Sequence, residues 1–354
     1  MLYFASDYQE GAHPSILQRL AETNLEKHPG YGTDEICASA GKRIRDACGC
    51  PDAGVYFLSG GTQTNKIVIT SLLRPWQGVI SADTGHISTH EAGAIEEAGH
   101  KVLTLPHTEG KIDAEEIRAM CAAWEEDANH DHTVMPGMVY LSQPTEYGTL
   151  YSPEELEAIR RVCDRFGLKL YIDGARLAYA LAVPHSPTLR DLARLCDVFY
   201  IGGTKCGALF GEAVVIPDPA ALPHFFTVIK QHGALLAKGW VAGIQFDELF
   251  RDGLYLKLGQ NALEKAHRIR DVFRRTGFQT AFDSPTNQVF LVLEDNVYDR
   301  LSSVISVSFW EKKNETHTVV RLASSWATSD EEVSQLEKQI DLLCASPTTE
   351  VTGV

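Results

Sequence analysis

Lys205 lies in the stretch Gly202-Gly203-Thr204-Lys205-Cys206-Gly207, directly after the largely apolar run 197–201. Glycines on both sides let the chain turn tightly and let a bulky group approach. A lone lysine among small uncharged residues is poorly hydrated, which disfavours its ammonium and frees a nucleophilic amine. Such an amine suits a Schiff base with an aldehyde. Taken alone, the stretch reads first as a loop lysine reaching for water. Three other stretches shift that balance. Ser59-Gly60-Gly61-Thr62-Gln63-Thr64-Asn65 follows the apolar run 55–58 and opens a helical pattern. Backbone N–H groups and the helix dipole converge at such a start, and Thr62 adds a hydroxyl donor, so an anion would be held there. A capped helix without a ligand has the same sequence. No Gly-Lys-Ser/Thr closes the loop and no Gly-x-Gly-x-x-Gly is present, so it is neither a Walker loop nor a dinucleotide fingerprint. His86 follows the run 78–82, and Asp173-Gly174-Ala175-Arg176 follows the run 168–172.

The elements that must position these residues alternate. Short β-rich runs at 55–58, 78–82, 101–105, 138–142, 168–172, 197–201 and 212–216 are separated by helical patterns. Alternation of this kind predicts an α/β domain with a mainly parallel sheet. Ligands of such sheets bind at the carboxyl ends of the strands. Gly61, Thr62, His86, Asp173, Arg176 and Lys205 all follow strand ends. Helices are also predicted over 14–28, from a Thr33 or Asp34 cap to 47, over 153–166 behind Ser152, and over 225–231 and 238–250. A long helix over 255–275 leads to a second domain with strands at 288–293, 304–309 and 317–322. A closing helix at 330–343 precedes a frayed tail over 345–354. The predicted organisation is an N-terminal segment 1–30, a large domain 31–250 and a small α+β domain 251–354.

A formal net charge of −15 argues against a nucleic-acid or anionic-membrane surface. Any anionic ligand must be held by local positive groups. The chain shows no apolar run long enough for a membrane span and no secretory start. Its 8 cysteines have no paired spacing for zinc, so no metal site is expected, and they read as free thiols of a reducing cytoplasm.

An anion-binding helix start, a strand-end Asp and a glycine-flanked Lys match the phosphate, ring nitrogen and aldehyde of pyridoxal phosphate. The ordered set Ser6-Asp7, Tyr31-Gly32, Ser59 to Gln63, His86 to Gly93, Ile172 to Arg176, Thr204-Lys205 and Val320-Arg321-Leu322 resembles the threonine aldolase and β-eliminating lyase family of pyridoxal-phosphate enzymes. The resemblance implies the aspartate-aminotransferase-like fold: a large domain with a seven-stranded, mainly parallel sheet and a smaller C-terminal α+β domain. It implies a covalent imine between the cofactor and Lys205, Asp173 at the ring nitrogen, and His86 on the ring face with a proton-shuttling role. Gly61, Thr62 and Gln63 would hold the phosphate. Arg176 and Arg321, with Ser6, would hold the carboxylate of a small amino-acid substrate. A homo-oligomer, dimer or tetramer, is implied as well. The chain departs from the family after the 138–142 strand. Where many members carry a histidine that contacts the substrate hydroxyl, this sequence reads Ser142-Gln143-Pro144-Thr145-Glu146, so Thr145 or Glu146 becomes the candidate for that proton. The activity implied is cleavage of threonine or allo-threonine to glycine and acetaldehyde. The alternatives are β-elimination or racemisation on the same scaffold, and a non-catalytic α/β binding protein.

Overall fold

Seven strands build the sheet that carries most of the predicted site residues. They are β1 (Gly54–Leu58), β2 (Gln77–Ala82), β3 (Val102–Leu105), β4 (Met135–Ser142), β5 (Lys169–Asp173), β6 (Val198–Gly202) and β7 (Glu212–Ile216). Their spatial order is β1-β7-β6-β5-β4-β2-β3. All neighbours are parallel except β7, which runs antiparallel to β1 and to β6. The computed structural model describes residues 1–345. It divides into two compact units: Gly11–Gly259, and Met1–Glu10 with the chain from Gln260 onward.

The strands of the larger unit are apolar because helices cover the sheet, so β4 to β7 are buried along almost their whole length. Local sequence sets the helix limits. Ser152 and Glu155 form a reciprocal capping box before Pro153–Phe166, and Gly167 ends that helix at φ +65°. Asp34 accepts from Cys37 N and opens Glu35–Cys48. The helix Gly61–Leu72 starts directly after β1, and its Ile67, Val68 and Ile69 pack with Tyr140, Tyr171, Tyr200 and Val214 in one core.

The smaller unit holds an antiparallel sheet in the order Ser308–Lys312, His317–Ala323, Gln288–Glu294, Gln279–Thr280. Its core includes Phe4, Phe273, Leu291, Leu322 and Leu336. The strand expected over 304–309 is two pieces. Ile305–Ser306 pairs in parallel with Leu2–Tyr3, whereas Ser308–Lys312 pairs with His317–Ala323, so the chain changes partner between them. The helix expected over 14–28 ends at Thr23. The helix expected after His86 is two single turns, His86–Thr89 and Ala94–Glu97, broken where Ala92 and Gly93 take positive φ. Short helices at Leu177–Leu181, Leu189–Leu195 and Asp295–Ser302 were not expected from the sequence. The tail expected to fray begins at Ala345, which instead ends the helix Asp330–Ala345; the remainder lies outside the described residues. Among the described residues no helix is long and apolar enough to cross a membrane.

Candidate active site

The C-terminal ends of β1, β4, β5 and β6 lie along one edge of the sheet, and β7 starts there because it runs the other way. Ser142 pairs with Asp173, and Glu212 stands opposite both Gly202 and Leu58. Alternation along each strand then aims residues two apart at the same face. Tyr140 and Ser142, Tyr171 and Asp173, and Tyr200 and Gly202 are three such pairs on adjacent strands. Gly174 is needed immediately after Asp173, since a Cβ there would lie 2.0 Å from the Tyr200 carbonyl oxygen.

Asp173 is the electrostatic centre of this edge. Its Oδ1 accepts from Ala175 N at 3.0 Å and from the Tyr200 hydroxyl at 2.5 Å. Its Oδ2 accepts from Tyr140 OH at 2.7 Å and Asn65 Nδ2 at 3.0 Å. Burial alone would push the carboxyl up; the charge of His86 and the hydrogen bonds from Tyr200, Tyr140 and Asn65 outweigh it and hold Asp173 below its ordinary value. Burial and the Asp173 charge push Tyr140 and Tyr200 well above the usual phenol range, so both remain donors. Tyr171 OH donates to Asn65 Oδ1 at 2.7 Å and so fixes the amide that serves Asp173.

His86 opens the turn after β2. Its Nδ1 donates to Glu91 Oε1 at 2.7 Å, and the same oxygen accepts from Asn65 Nδ2 at 2.7 Å. Burial works to lower His86, but the Glu91 hydrogen bond and the charges of Asp173 and Glu91 prevail, and the imidazole is held above its ordinary value. The His86 backbone N–H donates to Glu146 Oε1 at 2.9 Å, and Ser142 Oγ donates to that oxygen at 2.7 Å. Burial raises the Glu146 carboxyl despite these bonds. Thr145 faces elsewhere. Its Oγ1 lies 2.7 Å from Thr149 Oγ1 and reaches the Glu109 carbonyl at 3.5 Å. Of the two candidates for the missing histidine's place, only Glu146 stands beside His86.

At the helix start, Gly60 is in open space and a Cβ at Gly61 would meet only Tyr200 OH, at 3.3 Å. Thr62 is exposed. Gln63 Oε1 accepts from Ser59 Oγ at 2.8 Å and Ser59 N at 3.3 Å, so its carbonyl serves its own turn and its NH₂ is the half offered to a ligand. Lys205 follows β6, with its backbone carbonyl accepting from Tyr179 OH at 2.5 Å. Its charge acts on both His86 and Glu212. Arg176 is half-buried at the head of Leu177–Leu181. Gly61, Thr62, Gln63, His86, Asp173, Arg176, Glu146 and Lys205 thus belong to one unit.

Arg321 and Ser6 belong to the smaller unit. Arg321 Nη2 donates to the carbonyl of Ala5, the residue before Ser6, at 3.2 Å, and Nη1 donates to Gln288 Oε1 at 3.1 Å. Its guanidinium lies 5.5 Å from the Trp310 ring centroid. The residues that sequence reasoning missed are Asn65, Glu91, Tyr140, Ser142, Tyr200 and Glu212. One signal was available: a tyrosine two positions before the end of three successive strands.

These groups fit pyridoxal phosphate. An ionised carboxylate suits a protonated ring nitrogen, an open helix start suits a phosphate, and a lysine follows a strand on the same edge. A carboxylate has about four acceptor directions, and Asp173 already uses four, so an arriving N–H must take the place of one donor. The tyrosine hydroxyls rotate and are the donors able to yield.

Comparison with known proteins agrees with this chemistry. The family model described as Beta-eliminating lyase matches residues 4–296. The chain is 31% identical over 344 residues to the low specificity L-threonine aldolase of Pseudomonas aeruginosa, covering 96% of this chain and 97% of that protein. A solved threonine aldolase of Leishmania major is 42% identical at a TM-score of 0.94, covering 98% of this chain and 100% of that one. An aspartate aminotransferase of Thermus thermophilus, 14% identical at a TM-score of 0.72 over 97% of this chain and 91% of that one, shares the fold.

Proposed function

The chain belongs to the β-eliminating lyase family, and from that premise we propose that it cleaves β-hydroxy-α-amino acids, threonine or allo-threonine first, to glycine and an aldehyde. Pyridoxal phosphate is the cofactor that the family and its fold imply. The observation that carries the reading is the buried, ionised Asp173 with its four donors, on the same sheet edge as an open helix start and Lys205.

Bound pyridoxal phosphate supplies an electron sink beside the substrate Cα. The chain's own residues do the rest. Lys205 Nζ would hold the cofactor, Asp173 would hold the ring nitrogen, and Gly61, Thr62 and Gln63 would hold the phosphate through N–H and hydroxyl donors. His86, fixed by Glu91, would face the ring. The family resemblance gives the substrate carboxylate to Arg176, and likewise to Arg321 and Ser6, a bidentate task suited to guanidinium. Orienting that carboxylate decides which Cα bond is weakened. Glu146 takes the β-hydroxyl proton, because its raised carboxyl is a stronger base than an exposed one and Ser142 and the His86 N–H fix its position. A homo-oligomer, dimer or tetramer, belongs to the same reading.

The test is an absorbance spectrum of the purified protein with cofactor, followed by threonine and allo-threonine with detection of acetaldehyde. A visible band with acetaldehyde release supports both cofactor and bond. Ammonia with a keto acid, or the D-isomer, in place of glycine and aldehyde moves the reading to elimination or racemisation.

A further inference from the structure

Glu212 is a buried carboxyl that the reaction above does not use. It is the first residue of β7, the strand that runs against its neighbours, so it begins at the edge where β1 and β6 end. Its side chain is 4% exposed overall as a residue, yet it carries a titratable group. Oε2 accepts from Gly203 N at 3.1 Å and Oε1 accepts from Thr204 Oγ1 at 2.8 Å. Thr204 Oγ1 in turn accepts from Gly211 N at 2.9 Å. One carboxyl therefore ties the first residues of the Lys205 loop to the last. Gly203 N and Thr204 N also donate to the Gly211 carbonyl, at 2.9 and 3.1 Å, so the backbone alone already closes this loop. A buried carboxyl is an expensive third tie where a serine or amide would serve. Its distinguishing property is charge.

We propose that Glu212 is the positioning residue of Lys205, pinning both ends of its loop and setting, through its own charge, the pH at which the lysine nitrogen gives up its proton. The inference rests on the reading of Lys205 as the cofactor lysine. The groups that act on Glu212 or feel its charge come from several elements: Lys205 from the loop, Asp173 and Tyr171 from β5, Tyr200 from β6 and Tyr255 from the helix Leu254–Arg275; β1, which also pairs with β7, sets the apolar Leu58 opposite Glu212. The tyrosines stay neutral, and Asp173 opposes ionisation of Glu212. Lys205 is the cation whose charge favours it. Burial pushes Glu212 up to about 8, against the Thr204 hydrogen bond and that cation, so its charge is switchable near neutral pH. An ionised Glu212 favours the protonated lysine nitrogen. Removing it lets that proton leave at lower pH.

The experiment follows the visible absorbance of the holoenzyme against pH in wild type, Glu212→Gln, Glu212→Asp, Glu212→Ser and Thr204→Val, with Lys205→Ala as the blank. Glu212→Gln and Glu212→Ser are expected to lower the midpoint by on the order of one pH unit. Glu212→Asp keeps the charge and holds the midpoint. Thr204→Val keeps the carboxyl but removes a hydrogen bond that favours its ionised form, so it moves the midpoint in the same direction as Gln. Equal midpoints for wild type and the two neutral variants, a flat wild-type titration, or a shift in Thr204→Val opposite to that in Gln each overturn the inference. No visible band in wild type overturns the reading of Lys205, and the inference with it; a titrating band that the neutral variants leave in place sinks the inference alone.

Discussion

Asp173 and Glu212 are both buried carboxyls on one edge of one sheet, two strands apart, and they are held in opposite states. Asp173 ends β5 and has donors on four sides. Glu212 begins β7 and has two, Gly203 N and Thr204 Oγ1. Burial disfavours the charge of both. At Asp173 the donors and the His86 charge win, and the carboxyl stays ionised; at Glu212 they do not. The difference shows that depth does not decide the charge of a buried acid. The charges and hydrogen bonds that favour its ionised form do. A fixed anion suits a partner that must stay protonated, and a switchable one suits a lysine that must change state.

The largest effects should come from removing the groups that define the two ends of this comparison. Lys205→Ala is expected to abolish the visible band with pyridoxal phosphate and to lower turnover by at least about a thousand-fold. Retained turnover with the band lost would mean another group holds the cofactor. Asp173→Asn keeps the shape and removes the charge, and it turns one NH₂ toward donors that then lack an acceptor. We expect weaker cofactor retention and turnover reduced about a hundred-fold, read by dialysis and steady-state kinetics. Stability gives a second view. The lowered Asp173 stabilises the fold above its unfolded value near 3.8 and loses that contribution as pH falls through its lower folded value. Glu212 has the opposite sign. Its contribution is complete below an unfolded value near 4.5 and is lost as pH rises toward about 8. The cofactor-free Glu212→Gln protein should therefore gain on wild type in melting temperature between pH 5 and 8, whereas Asp173→Asn should fall below wild type at neutral pH and close that gap only in acid. Parallel pH curves for the two variants would erase the distinction drawn between the sites.

Much of this edge was legible in the sequence, because strand ends followed by glycine and a polar residue are local signals. Gly61, His86, Asp173 and Lys205 were found that way, and the sheet they predicted is the one observed. The donors around Asp173 were not found, for a physical reason. Asn65 is one of several polar residues on a helix, and Tyr140 and Tyr200 read as core aromatics; only the pairing of β4, β5 and β6 brings their polar ends to one carboxylate. Glu212 was hidden by strand direction, since nothing local to Glu212–Ile216 says that it runs antiparallel and so starts where the others finish. The resemblance to a known family carried Arg321 and Ser6, which lie in the smaller unit and which no local pattern marks as a site.

Glu146 and Thr145 sharpen the comparison on a smaller scale. Glu146 is a third carboxyl on this edge, half-buried, raised like Glu212, with two donors, His86 N and Ser142 Oγ. The proposed base must be deprotonated to act, so turnover should fall as pH drops through its raised value. Glu146→Gln should remove that acid limb and lower kcat about a hundred-fold, the usual range for losing a general base, with little change in cofactor affinity. An unchanged limb would pass the role to another group.

Thr145 is the control for that assignment, and its expected effect is the smallest. Its neighbour in sequence faces the site, yet its own Oγ1 is spent on Thr149 Oγ1 and the Glu109 carbonyl. It is also 1% exposed. Thr145→Val keeps the shape and removes one buried donor, leaving Thr149 able to use the same carbonyl at 2.7 Å. The cost should be about 1 kcal/mol of stability by denaturant unfolding, with kcat and its pH profile within about two-fold of wild type. A larger loss of kcat than Glu146→Gln shows would reverse the two roles, placing the proton acceptor on the residue that the hydrogen bonds assign to the loop.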